Sequence, residues 1–347
     1  MKRVLSTGPA ESRFLTDLEQ LEIPVFSLKR HRTLLDDIAD PDLYDLLTEL
    51  ENKGWLLRVE QGTYVVVPRA ARRTWHEHPF IIAAAMAPDP YYISYWSALS
   101  FHNVTAQMPR IVVVVIPVDH RRRRSQVTFQ GYHYQFVSRS ETTFFGVRSH
   151  DMTGLNGAAH VEVMIADPEK AILDSLDDER LAGGIAEIME SLRRGLANGS
   201  LSLPHLVDDA LRYPNRAVIN RLGYLLSRSG ADKDVLDALR GRMRRTGYPP
   251  YLSRVAPRIE AHRDPEWNVM VNVSNDSTPH PAEIRPPDRE QGMERQDLYT
   301  TIRPKEAEWD AALRVLVVDP LCNDNALALV EKGRRPIVSR VTDYTGR

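Results

Sequence analysis

The sequence predicts an α+β protein: an N-terminal winged helix-turn-helix, a mixed α/β middle domain with a small sheet, a C-terminal helical bundle and an appended tail. Three stretches carry this prediction. Leu43–Pro68 reads as an amphipathic helix, a glycine stop and a two-strand ribbon. Ile111–Ile116 is a β-branched apolar run, followed by strand-like segments at Val127–Phe129 and Tyr132–Val137. From Leu181 to about Arg245 the apolar residues keep an almost wholly helical period.

The first stretch is the most explicit. Leu43, Leu46, Leu47 and Leu50 fall at i, i+3, i+4 and i+7, one stripe on a helix. Lys53 lies in the last turn, and Gly54 is placed to take the left-handed conformation that ends it. Trp55–Val59 and Thr63–Val67 are β-type, with Gln61-Gly62 as the turn between them. Upstream, Glu11–Leu21 carries a helical stripe (Phe14, Leu15, Leu18, Leu21). Phe26–Ile38 reads as a second helix, with Lys29, Arg30, His31 and Arg32 at its start. Asp40-Pro41 supplies an N-cap and first-turn proline for the Leu43 helix. Helix, helix, helix, ribbon within residues 1–70 is the winged-helix order.

Residues 80–180 form the predicted mixed α/β domain. Phe80–Ala87 reads as a helix, and Tyr91–Ser94 as a strand entering the helix of Trp96–Leu99. Ile111–Ile116 reads as a buried strand. Gly131 marks a turn between the next two strands, and Arg121, Arg122, Arg123 and Arg124 lie in the loop before them. Val161–Ile165 is a further strand, and Asp167-Pro168-Glu169 opens a helix through Leu176. Residues 181–273 are a helical extension punctuated by Asn198-Gly199, Tyr213-Pro214 and Ser229-Gly230, with core-facing stripes that include Val235, Leu236, Leu239 and Met243. Trp267–Val273 alternates as a closing strand. The polar, proline-rich 274–300 reads as a linker. In the tail, 301–347, Trp309, Ala312, Leu313 and Leu316 suggest an amphipathic helix, and Ala326–Val330 a short one; its role is open.

Composition narrows the function classes. The chain has 347 residues, 42% hydrophobic and 27% charged, and one cysteine. A lone cysteine fits a reducing cytoplasm. Met1–Leu5 leads into polar residues with no secretory core, and no apolar run approaches the roughly 20 residues of a spanning helix. The net charge of −2 hides local cation clusters: Arg121–Arg124, and six arginines without an acid between 240 and 258. No Walker A loop, GxGxxG or GxSxG occurs, and His76-Glu77-His78 is too tight for a helical zinc site. No cofactor is expected.

Nucleic-acid binding is the leading expectation. Lys29, Arg30 and Arg32 are placed to grip phosphates, and Arg58 and Thr63 to reach them from the wing. Thr48 and Asn52 are the uncharged polar residues on the outward face of the recognition helix. Asp45 and Glu49 share that face and oppose phosphate, so the alternative is a winged helix kept as a protein-docking module. Arg121–Arg124 and the cluster containing Arg242, Arg244 and Arg245 are further phosphate candidates. The alternatives are a solvated loop tip and arginines that cover apolar surface or pair with acids. Asp167-Pro168-Glu169-Lys170 superficially matches a metal-nuclease pattern, but its spacing fails and a helix start explains it.

Three blocks together resemble the AbiEi-type antitoxins, transcriptional regulators of abortive-infection (type IV) toxin–antitoxin pairs. They are Leu46–Leu50 through Lys53–Leu56 with Gly62–Val65; Tyr92-Ile93-Ser94 with Ser97–His102; and Ala166–Asp174. They span roughly residues 10–270 and leave the tail uncovered. The resemblance implies a repressor of its own promoter that binds double-stranded DNA at inverted repeats. It also implies a cognate nucleotidyltransferase toxin of the AbiEii type whose effect is counteracted. The alternatives are a module that masks a toxin without reading DNA and, more remotely, a metal-dependent nuclease.

Overall fold

The computed structural model describes residues 7–31, 40–69, 71, 75–120, 125–155, 157 and 159–273, together with three strands at 315–318, 327–330 and 337–339. The class is α+β. Two compact units interleave along the chain: residues 1–93, 110–141 and 147–165 make one, and 94–109, 142–146 and 166–347 the other. Among the described residues no helix is long and apolar enough to cross a membrane.

The first unit begins with α1 (Pro9–Gln20), whose Phe14, Leu15 and Leu18 are buried. Strand β1 (Val25–Ser27) follows, then α2 (Asp40–Lys53), β2 (Leu56–Glu60) and β3 (Thr63–Val66). Leu43, Leu47 and Leu50 of α2 join the α1 residues, Phe26, Leu56, Tyr64 and Val66 in one cluster. Phe14 meets Phe26 edge-on at 5.4 Å. Gly54 (φ 76°) ends the helix and Gly62 (φ 78°) turns the ribbon, as their local sequence requires. The sheet order is β1-β3-β2, all antiparallel. Here the predicted helix over Phe26–Ile38 is corrected: Val25–Ser27 pairs with Val65–Thr63 as a strand, and residues 28–30 are a turn. Phe26 is wholly buried by that pairing. The rest of the predicted helix, 32–38, lies outside the described residues.

Helix α3 (Pro79–Met86) is buried nearly all round, as its unbroken Phe-Ile-Ile-Ala-Ala-Ala run dictates. It packs against β1, β3 and strand β5 (Ile111–Pro117). The larger sheet adds β4 (Tyr92–Ser94), β6 (Gln126–Phe129), β7 (Tyr132–Arg139), β8 (Val147–Thr153) and β9 (His160–Ala166), in the order β6-β7-β5-β4-β9-β8. Central β5 is parallel to β7, and β6 returns antiparallel through a turn at Gly131. Six strands exceed the small sheet expected. The polar β8, with only Met152 buried, gives no period-2 apolar signal.

The second unit is mostly helical: α4 (Tyr95–Phe101), α5 (Pro168–Asp177), α6 (Ile185–Ala197), α7 (Leu203–Arg212), α8 (Arg216–Arg228) and α9 (Lys233–Arg242). Helix α5 packs against α4, α6, α7 and α8. In α9 only Leu239 is fully buried, so Val235, Leu236 and Met243 are half-buried and not the core stripe expected. A hairpin of β10 (His262–Asp264) and β11 (Val269–Val271) follows. Between its strands, the fully buried Trp267 lies against Gly223 of α8, where a Cβ would collide with the indole ring. Gly223→Ala is therefore expected to cost about 2 kcal/mol by overpacking, despite the ~1 kcal/mol gained in helix propensity. Gly241→Ala faces open space and is expected to be neutral or stabilising. Urea titration of both variants checks this, and equal stabilities would refute the packing argument.

The tail corrects two further expectations. Val315–Val318, Leu327–Val330 and Ile337–Ser339 form an antiparallel sheet, β12-β13-β14. Leu316, and Leu327–Val330 of the segment predicted as a helix over Ala326–Val330, therefore lie in strands, in keeping with their short Val/Ile/Leu runs. Trp309, Ala312, Leu313 and the predicted linker lie outside the described residues.

Candidate nucleic-acid interface

The helix–ribbon module presents Asp42, Tyr44, Asp45, Thr48, Glu49 and Asn52 on the exposed face of α2. The period that buries Leu43, Leu47 and Leu50 fixes that face. Thr48 Oγ1 donates to the Tyr44 carbonyl at 2.8 Å, leaving its oxygen able to accept. The cations around the helix are mostly engaged within the protein. Lys53 Nζ stands 2.6 Å from Glu11 and 3.9 Å from Glu49. Arg58 lies 2.9 Å from Glu51 and donates to the Tyr64 hydroxyl at 3.2 Å. Arg30 donates to the Ala87 carbonyl at 2.9 Å and pairs with Asp89 at 3.1 Å.

Of the contacts predicted for this module, Lys29, Thr48 and Asn52 are on the surface. Arg30 lies in the turn after β1, not at a helix start, and serves the fold. Thr63 is 4% exposed, opposite Ser27 in the sheet, and does not reach out from the wing. Arg58 is different, because its side chain is 48% exposed. An exposed pair holds its partners by only about 0–1 kcal/mol, so a phosphate is able to replace Glu51. His31 accepts from the Ser27 N–H at 3.0 Å and stacks on Phe26. Burial lowers its pKa, so it is a neutral clamp on the turn and not a site cation. Arg32 and Arg121–Arg124 lie outside the described residues.

The second cation cluster belongs to the other unit. Arg240 is neutralised by Asp237 at 2.5 Å and by Glu266, and lies over the Trp267 ring. Arg242, Arg244 and Arg245 are exposed and have no carboxylate partner among the described residues. Asn220, buried in α8, fixes where this segment starts. It accepts from the Arg244 N–H at 2.8 Å and donates to the carbonyls of Arg244 and Trp267. Arg242 and Arg245 stay on the open surface, whereas Arg244 turns to line a cleft of about 480 Å³ beside the N-terminus of α8. Tyr248 is 93% exposed next to them. The sequence identified the charge cluster. It did not reveal the cleft, because one wall is Arg221, embedded in the apolar pattern of α8.

Two motifs singled out in the sequence meet in the second unit and are buried there. Ser94 Oγ donates to Asp174 at 2.7 Å, and His102 Nε2 lies 2.8 Å from the Ala166 carbonyl. Asp174 also accepts from the Tyr213 hydroxyl at 2.8 Å and pairs with Lys170, whose Nζ lies about 5 Å from the Phe145 and Tyr213 rings. Pro168 opens α5 as expected, but Asp167, at the N-cap, makes no side-chain capping bond. Glu169 instead accepts from the Ser202 N–H at 2.6 Å. Among the described residues no three His, Cys, Asp or Glu side chains converge to hold a metal ion.

No protein-family model matches the chain, and no curated protein does. The crystal structure of the RV2827C protein from Mycobacterium tuberculosis is similar over 76% of this chain and 92% of that one, at 16% identity and a TM-score of 0.49.

Proposed function

We propose that the protein is a DNA-binding transcriptional repressor and antitoxin that autoregulates a toxin–antitoxin operon and counteracts a nucleotidyltransferase toxin. The observation that carries the DNA part is the path of the first unit. Helix α2 opens through Gly54 directly into the β2–β3 ribbon, and β1 pairs on the far side of β3. This order supports the reading of a winged helix-turn-helix with α2 as its recognition helix. The antitoxin part rests on the three blocks that resemble the AbiEi-type proteins.

In this reading α2 contributes shape and the neutral side chains of Thr48 and Asn52, with Lys29 and an exchangeable Arg58 beside them. In the other unit, Arg242 and Arg245 are separate candidates for phosphate neutralisation. A second reading is favoured by one specific observation: Asp42, Asp45 and Glu49 make the exposed face of α2 acidic around the half-exposed Tyr44. Such a face suits a basic protein partner, and the module then masks a toxin without reading DNA.

Titrating the full-length protein with its own upstream promoter duplex across salt concentrations tests the proposal. Affinity should fall steeply with salt and exceed that for random duplex. Arg242→Ala with Arg245→Ala should reduce the salt slope by about 2. Asp45→Lys with Glu49→Lys separates the readings: it should tighten duplex binding if α2 meets DNA, and abolish toxin rescue if α2 meets protein. Salt-insensitive binding, or no preference over random duplex, would sink the DNA part.

A further inference from the structure

The cleft beside α8 belongs to neither reading. Its walls come from sequence-distant parts of one unit: Asn215 and Arg221 from the start of α8, Arg244 from the segment after α9, and Tyr251, Arg254 and Arg258 from the loop before β10. Four arginines thus line one concavity of about 480 Å³, a volume within the usual range for small-ligand sites, with the Arg244 Nε donating to the Thr246 carbonyl at 3.1 Å. Asn215 caps α8, accepting from the Ala217 N–H at 3.1 Å, so the positive end of a 13-residue helix dipole adds to the same field.

Arg221 is the built part of the site. It is only 3% exposed, and its fork is held from behind: Nε donates to the Tyr251 carbonyl at 2.8 Å and Nη1 to the Leu176 carbonyl at 2.9 Å. Its Nη2 has no partner among the described residues. Arg258 lies over the Tyr251 ring at 4.8 Å, which pre-orients a second fork at the rim. The nearest carboxylate balance is incomplete. Asp177 is already taken by Asn215 at 2.6 Å and stands 3.7 Å from Arg254. Glu179 is occupied by Ser253 Oγ and the N–H groups of Arg254 and Val255. Burial, and then the charge of Arg254, lower the Arg221 pKa to about 10 against the opposing pull of Asp177, Glu179 and Asp178, so two like charges are held close with carboxylates that are shared with other donors.

We propose that this cleft is a binding site for a small polyphosphate anion of the nucleoside triphosphate class. The donors left on Arg221 Nη2, Arg254 and Arg258 exceed what a single phosphate accepts, and planar guanidinium groups match phosphate oxygens. Duplex DNA is a poorer fit, because a convex backbone does not reach the recessed Arg221. The anion adds negative charge between Arg221 and Arg254, where Asp177 is shared with Asn215, and with it a ligand input to the unit that carries Arg242 and Arg245.

The test is calorimetric titration of the full-length protein with ATP, GTP, tripolyphosphate, inorganic phosphate and adenosine, in parallel with promoter duplex. ATP, GTP or tripolyphosphate should bind and adenosine should not. A nucleotide preference over tripolyphosphate of about tenfold identifies a nucleotide as the occupant; equal affinities identify the phosphate chain as what is read. Arg254→Ala with Arg258→Ala, both exposed side chains, should weaken binding about 100-fold with an unchanged melting curve. Arg221→Lys keeps the charge, loses the fork and should weaken binding too, whereas Arg245→Ala should not. The proposal is overturned if no polyphosphate binds at about 1 mM, if the double variant binds like the parent, or if duplex DNA alone responds to the cleft substitutions. DNA binding that fails while ATP binding survives would overturn the repressor reading and leave this one standing.

Discussion

Replacing Asp174 with alanine is expected to cost about 3–5 kcal/mol of stability, the range for breaking a buried ion pair from one side. Asp174 is 2% exposed and accepts from Ser94 and Tyr213 while balancing Lys170, which is fully buried. Removing the carboxylate leaves an ammonium group facing two aromatic rings with only the weaker pulls of Asp209 and Asp177. Lys170→Met should cost less, because Asp174 keeps two hydroxyl donors. The double replacement Lys170→Met with Asp174→Leu should recover much of the loss, since an apolar pair avoids desolvating either charge. The variants also differ in pH response. Burial lowers the Lys170 pKa from its ordinary 10.5, and the Asp174 charge opposes that shift. With Asp174 gone the folded-state value falls further below the unfolded one. The unfolded chain then holds more protons up to about pH 10.5, so the stability of Asp174→Ala should rise as pH rises towards that value. Urea melts at neutral pH and at about pH 9 measure both effects. A loss below about 1 kcal/mol for Asp174→Ala would show that the pair is not sealed from water.

That cluster also marks how far the sequence could be read. The α2–ribbon stretch was legible because every signal in it is local: a leucine period, Gly54 at the helix stop and Gly62 in the turn. Strand β1 was not, because three residues become a strand only when β3 lies beside them. The charged residues Lys29 and Arg30 read as a helix start, but they form the turn after the strand. In the same way Asp167-Pro168-Glu169 announced a helix, while nothing local disclosed that Lys170 would be sealed inside it. The one available clue was Asp174 four residues on, within the apolar Ala171-Ile172-Leu173 run. Of the candidate site, the arginine cluster was legible as charge but not as shape. Arg221 follows Val218 and precedes Leu222 in the α8 stripe, and only the fold brings it to Tyr251 and Arg254. Thr63 failed for the opposite reason: a polar residue beside a turn looked outward, and the register turned it in.

Acid should destabilise the protein through His78 by about 2 kcal/mol between pH 7 and pH 5. His78 is fully buried at the start of α3, where its Nδ1 accepts from the Phe80 N–H at 3.1 Å. Its Nε2 is buried without a hydrogen-bond partner among the described residues. Because Nδ1 accepts, the neutral ring carries its proton on Nε2; a second proton would go to Nδ1, break the bond from the Phe80 N–H and place a charge in the core, and burial accordingly lowers the pKa from 6.5 to about 3. The unfolded chain binds a proton below pH 6.5 that the folded chain refuses until about pH 3. Stability is therefore fully present above pH 6.5 and is lost through that window as pH falls, at about 1.4 kcal/mol per unit. Glu77 acts in the other direction. It is buried and accepts from the His78 and Leu155 N–H groups, and burial raises its pKa above 4.5. Between 4.5 and that raised value the folded chain holds the extra proton, which offsets part of the histidine effect near the acid end. Comparison with His78→Asn isolates the histidine, because asparagine keeps an acceptor for the Phe80 N–H and cannot titrate. The difference in unfolding free energy between parent and variant should change by about one proton's worth per pH unit from 6.5 downwards. A pH-independent difference would mean that His78 takes up its proton in the folded state as readily as in the unfolded one.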